Sequence, residues 1–134
     1  MFYPAISFQG NCNEAIEFYK QALGAQVRSI SLFGKDAPDD FKDANDLPDD
    51  YVMDSEVLID GQVVMMTDGA VSKPNADAFS MCLIKDTGEE VRRVFDALAK
   101  GGKVIDPLNP VFWSSLYGVV EDKFGFQWMI MVKQ

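Results

Sequence analysis

The chain's capacity for chemistry is defined first by a missing residue: its 134 positions contain no histidine. What remains is two cysteines, Cys12 and Cys82, and 21 acidic side chains. Cys12 follows Asn11 in the first turn of a predicted helix, where amide dipoles lower a thiol's pKa. No base or partner thiol accompanies it, so it reads as a small packed residue. Cys82 lies inside a strand-like run and reads as packing. Glu56, Asp68 and Asp122 have the right type for acid–base work, but Asp68 and Asp122 sit at turn ends, where aspartate commonly serves as a cap. No spacing selects a pair of them. Seven aspartates and one lysine between Asp36 and Asp50 invite a calcium reading. The stretch lacks the glycine and terminal glutamate of the helical calcium loop, and its composition fits a solvated, mobile loop instead.

That acidic stretch also explains most of the formal charge of −9. No basic footprint for nucleic acid is present. No apolar run reaches the roughly 18 residues that span a bilayer, and the N-terminus lacks the basic-then-apolar layout of a secretory leader. Two cysteines make no disulfide framework. The expectation is a cytoplasmic protein with free thiols that binds neither nucleic acid nor membrane. Its length and its 48% apolar content support one domain with a real core.

The elements that must position any site come in two matching sets. Asn11-Cys12-Asn13-Glu14 has capping-box spacing. A helical stripe follows at Ala15, Phe18, Tyr19, Ala22 and Leu23, and Gly24 closes it. Thr87-Gly88-Glu89-Glu90 repeats the box 76 positions later, with the stripe at Val91, Val94, Phe95, Leu98 and Ala99 and a stop at Gly101-Gly102. Strand-like runs at Tyr3–Phe8 and Phe79–Ile84 lead into the two helices. After the first helix come Gln26–Phe33, Val52–Ile59 and Gln62–Thr67, the last two joined at the hairpin signal Asp60-Gly61. After the second come Lys103–Ile105, Tyr117–Glu121 and Phe126–Val132, with Gly125 at the corresponding turn. Each half is therefore β-α-β-β-β: module one at about 1–69, a linker at about 70–76 and module two at about 77–134. Neither half can bury its helix stripe and its sheet alone, so one domain built from paired sheets is expected.

Several segments resemble the vicinal-oxygen-chelate superfamily of glyoxalase I, extradiol dioxygenases and bleomycin-resistance proteins, and most of all its PhnB-like branch. They are Phe8-Gln9-Gly10-Asn11-Cys12-Asn13-Glu14-Ala15-Ile16-Glu17-Phe18-Tyr19, Val64-Met65-Met66-Thr67-Asp68, Phe112-Trp113, Tyr117-Gly118 and Asp122-Lys123-Phe124-Gly125. The resemblance implies an α+β fold: two βαβββ modules forming a paired, curved mixed β-sheet with helices on its outer face. That branch has carried a demethylubiquinone-methyltransferase label, for which the sequence offers no glycine-rich nucleotide loop after a strand.

Catalytic members of the superfamily hold a divalent metal with His and Glu from the first and fourth strands of each module. By register those positions fall here on Pro4, Met65, Ser80 and Met129. A proline ring, two thioethers and a hydroxyl are not donors for such an ion, so no metal and no cofactor is expected. A Cu(I) site from the two methionines is the one conceivable exception. Strand alternation then places Ile6, Val63, Thr67, Cys82, Gln127 and Met131 on the same face, with Met66 and Trp128 turned toward the helices. Trp113 and Tyr117 follow Pro107 and Pro110 in a loop-like stretch able to cap a cavity.

The residues expected to line a ligand pocket are therefore Met65, Thr67, Ser80, Trp113, Tyr117, Gln127 and Met129; no residue stands out as catalytic. The function expected by analogy is a metal-free binding protein for a small hydrophobic or aromatic molecule, working as a homodimer like many relatives. Two alternatives stay open: an enzyme that works without the usual metal site, and a non-catalytic interaction domain whose side chains fill the cavity.

Overall fold

The computed structural model describes residues 1–69 and 79–134; the linker expected at about 70–76 lies outside the described residues. The chain divides into two compact units, Met1–Ser72 and Lys73–Gln134. The first contains β1 (Ala5–Phe8), α1 (Cys12–Leu23), β2 (Gln26–Leu32), α2 (Phe33–Asp36), α3 (Asp39–Ala44), β3 (Val52–Ile59) and β4 (Gln62–Asp68). The second contains β5 (Met81–Lys85), α4 (Gly88–Ala99), β6 (Lys103–Val111), β7 (Ser114–Glu121) and β8 (Gln127–Val132).

The two sheets have the same plan. Their strand orders are β1-β4-β3-β2 and β5-β8-β7-β6. In each, the first strand pairs in parallel with the last, and the remaining pairs are antiparallel. These are the two βαβββ modules read from the repeat. The β3–β4 turn has φ of 51° at Asp60 and 77° at Gly61, a left-handed pair matching the twist of a two-residue hairpin.

Burial follows strand alternation. Val64, Met66 and Asp68 are buried along β4, as are Trp128, Ile130 and Val132 along β8, while the residues between them are half-buried. Helix α1 buries Cys12, Ala15, Ile16, Tyr19 and Ala22 beside β3 and β4; α4 buries Val91, Val94, Phe95 and Leu98 beside β7 and β8. Met66 and Trp128 face this core, as expected.

Three expectations change. Helix α1 has no cap from Asn11. Instead Asp68, at the end of β4, accepts from the amides of Gly10 (2.8 Å) and Cys12 (3.0 Å) through Oδ1, and from Val52 (2.8 Å) through Oδ2. Thr87 does cap α4, accepting from the Glu90 amide at 3.2 Å.

The acidic stretch is also not one continuous loop. It carries the end of α2 and all of α3, with Asp39 and Asp40 in the first turn of α3, where negative charge is favourable. Lys42 Nζ donates to the Gly34 carbonyl at 2.7 Å, and the Phe33 and Phe41 rings meet edge-on at 5.7 Å.

Finally, β6 runs past the expected Lys103–Ile105 through both prolines to Val111. An edge strand tolerates proline, and its pairing with β7 is irregular at three places. Phe112 and Trp113 therefore form a tight turn between β6 and β7, and β7 begins at Ser114, three residues before the expected Tyr117, so the loop-like stretch expected to hold Trp113 and Tyr117 shrinks to that turn.

Candidate functional site

The sheet of the second unit gathers five of the seven expected pocket residues. Cys82 is the lateral partner of Met129, and Ser80 lies two positions before it on the same face. Across β8, Tyr117, Val119 and Glu121 pair with Met131, Met129 and Gln127, so all share that face. Gln127 Nε2 donates to Ser80 Oγ at 2.6 Å. The Trp113 ring stands edge-on to Tyr117 at 5.2 Å, and Phe112 stands edge-on to Trp113 at 4.7 Å. Ser80, Trp113, Tyr117, Gln127 and Met129 are thus one constellation: two thioethers counting Met131, two rings and a hydrogen-bonded amide–hydroxyl pair. Burial pushes the Tyr117 phenol above its ordinary pKa, with further contributions from the charge of Asp106 and from Cys82. Tyr117 is therefore a neutral hydrogen-bonding group at ordinary pH.

Met65 and Thr67 occupy the corresponding half-buried face of the first sheet. There the register departs from expectation. β1 aligns Ala5 with Met65 and Ile6 with Met66, so Ile6, only 6% exposed, belongs to the helix-facing core. Pro4, expected beside Met65, instead offers its carbonyl to the Met65 amide at 2.9 Å.

This face also holds Glu56, one of the three acidic candidates, paired with an arginine that the sequence did not single out. Glu56 is the lateral partner of Met65. Its Oε1 accepts from Arg28 Nε (2.9 Å) and Nη2 (2.7 Å), and Tyr3 also stands by that guanidinium. The pairing slips between Val27 and Ser29, so Arg28 is bulged, and a bulge re-aims a side chain. No sequence signal marked it.

The superfamily's divalent metal fits neither unit. Met65 and its neighbour Ala5, like Met129 and its neighbour Cys82, place two thioethers, a methyl and a thiol where carboxylate and imidazole donors would be needed. Among the described residues no group of three or more His, Cys, Asp or Glu side chains has a metal-holding arrangement.

The two thiols differ sharply. Cys12 is fully buried; burial, reinforced by the charge of Asp68, pushes its pKa up to about 12, which excludes the activated-thiolate role. Cys82 is exposed on the open sheet face rather than packed, though partial burial still raises its pKa. Titration of the folded chain with an aromatic disulfide reagent at pH 8 should therefore modify Cys82 alone, more slowly than a free thiol. Cys12 should react only on unfolding. Equal, rapid reaction of both thiols in the folded chain would contradict this assignment.

Comparison with known proteins agrees with this architecture. Residues 1–131 match the family described as 3-demethylubiquinone-9 3-methyltransferase. The chain is 36% identical to protein YjdN of Escherichia coli K12, covering 98% of this chain and 95% of that protein. Among solved structures, protein PA1353 from Pseudomonas aeruginosa is 32% identical with a TM-score of 0.81, covering 100% of this chain and 98% of the other. A Bacillus cereus PhnB protein, titled a putative 3-demethylubiquinone-9 3-methyltransferase, is 25% identical with a TM-score of 0.81, covering 98% of each chain. The fosfomycin resistance protein FosX of Listeria monocytogenes shares the fold at 12% identity and a TM-score of 0.71, over 100% of this chain and 93% of its own. On the strength of the repeated βαβββ plan and these matches, the chain belongs to the PhnB-like, 3-demethylubiquinone-9 3-methyltransferase-like family of the vicinal-oxygen-chelate fold.

Proposed function

We propose that the chain is a cytoplasmic, homodimeric binding protein for a small hydrophobic or aromatic molecule, working without the divalent-metal centre of the superfamily's enzymes. The observation that carries this reading is the half-buried face of β5, β8 and β7. There Met129, Met131, Tyr117 and Trp113 provide polarizable apolar contact, while the Ser80–Gln127 pair provides directional hydrogen bonding. Thioethers adapt to varied shapes, and rings stack on rings. Methyl transfer, which the family's description and one relative's title name, is less well supported, since it needs a bound methyl donor and the sequence has no glycine-rich nucleotide loop.

A thermal-shift screen of aromatic and apolar small molecules, with and without chelator and added zinc or nickel, tests the proposal. A binding compound should raise the midpoint equally under both conditions, because a ligand for the native state stabilises by mass action. Trp113→Ala and Met129→Ala should weaken that rise while leaving the ligand-free stability within about 1 kcal/mol of the parent, as expected for partly exposed positions. Stabilisation that appears only with a divalent ion, or about one tightly held zinc, nickel or iron per purified chain, would refute the metal-free reading. A monomer in sedimentation at micromolar concentration would refute the dimer.

A further inference from the structure

On the open face of the second sheet, the two thioethers of the binding proposal are joined by a third sulfur, the Cys82 thiol, that the proposal does not use. Cys82 and Met129 are lateral neighbours on β5 and β8, and Met131 is the next residue of β8 on that side. Cys82 is exposed and the two methionines are half-buried. We propose that Cys82, Met129 and Met131 form a binding site for a soft monovalent metal ion, Cu(I) or Ag(I).

The geometry follows from the sheet. Neighbouring strands lie about 4.8 Å apart, and successive same-side residues along a strand about 6.7 Å apart. Metal–thiolate bonds of about 2.3 Å require three sulfurs around one ion to stand roughly 4 Å from each other. A methionine side chain turns about three bonds and spans that difference without backbone movement. One thiolate and two thioethers are ligands that select Cu(I) over hard or borderline ions. No histidine exists to recruit zinc instead.

The surroundings agree. Cys82 is in register with Met129, Tyr117 with Met131, and Asp106 with Val119, itself the partner of Met129, so the thiol, the phenol and a carboxylate share the side of β8 that carries the methionines. Cys12 offers no competing site, being fully buried in the first turn of α1. Binding involves no change of oxidation state. The ion arrives as Cu(I) or Ag(I), the metal–sulfur bond forms as the Cys82 S–H bond breaks, and the proton passes to water. This site does not depend on the pocket proposal, although an ion and an apolar ligand would compete for Met129.

The test uses the full chain, fully reduced and free of oxygen, titrated with silver nitrate and then with Cu(I) in competition with bathocuproine disulfonate. Methionine methyl NMR signals are followed throughout. A single ion per chain should bind, shifting the Met129 and Met131 methyl signals together and leaving that of the buried Met66 in place. Cys82→Ser, and separately Met129→Leu with Met131→Leu, should each lower affinity by at least about tenfold; both changes sit on a partly exposed face, and unchanged near-ultraviolet circular dichroism would confirm folding. The proposal is overturned if the methionine methyl signals stay still while silver binds, if Cys82→Ser binds like the parent, or if zinc displaces silver.

Discussion

Asp68→Ala should unfold roughly 10–20 °C below the parent, a loss of about 3–5 kcal/mol. Asp68 is 5% exposed, and its two oxygens accept three backbone amides, those of Gly10, Cys12 and Val52. These belong to the entry of α1 and the start of β3, so one carboxylate joins three elements distant in sequence. Alanine leaves all three donors without a partner, each at a cost of about 1–3 kcal/mol less whatever water recovers. Asparagine keeps one oxygen and should forfeit about half as much. Thermal unfolding by far-ultraviolet circular dichroism checks this; a midpoint within 3 °C or so of the parent would show that the carboxylate is not the anchor.

The same variant probes cooperativity. Trp113 and Trp128 both lie in the second unit. We propose that residues 1–134 melt as one domain, in which case tryptophan emission and ellipticity shift together. A tryptophan transition left at the parental temperature would show two independent units.

Asp122→Ala should cost a similar amount in the second unit. Asp122 is 1% exposed; its Oδ1 accepts from the amides of Phe124 (2.9 Å) and Phe126 (3.1 Å), and its Oδ2 from the Trp128 indole N–H at 2.9 Å. Trp128 is itself 1% exposed, and a buried indole N–H needs a partner. Removing the carboxylate should loosen the β7–β8 turn and shift Trp128 emission to the red, with a loss of about 3–5 kcal/mol. Asp122→Asn retains the Oδ1 contacts and endangers only the indole bond, so about 1–3 kcal/mol is expected. Chemical denaturation followed by fluorescence distinguishes the two. Stability within about 1 kcal/mol of the parent for Asp122→Ala would sink the prediction.

Both aspartates were visible in the sequence as turn-end residues with capping potential, but not the distance over which Asp68 acts. A capping box is a local signal, and Asp68 lies 56 residues beyond the amide of Cys12. The helix stripes, the turn at Asp60-Gly61 and the repeat were legible because each depends on neighbours within one turn or one hairpin. The face of the second sheet was legible for the same reason: β8 alternates without interruption.

The first sheet was misread at Pro4 and Ile6 by a single residue. Three residues separate β1 from α1 but only two separate β5 from α4. Offsets counted from the helix caps therefore place the first strand one step out of phase, and with a side-chain period of two that step exchanges the faces. Arg28 was missed because a bulge arises from the pairing of two strands and leaves no mark in either one.

The prolines of β6 have a consequence for how this molecule meets its own kind. A terminal strand with free amides is a template onto which another extended chain can be added, and Val104 and Ile105 expose nearly half their surface there. Pro107 and Pro110 carry no amide hydrogen to offer, and the slipped pairing of this strand with β7 spoils the even spacing that an incoming strand would need. Orderly addition of another strand along that border is thereby disfavoured, which leaves a sticky but non-templating rim.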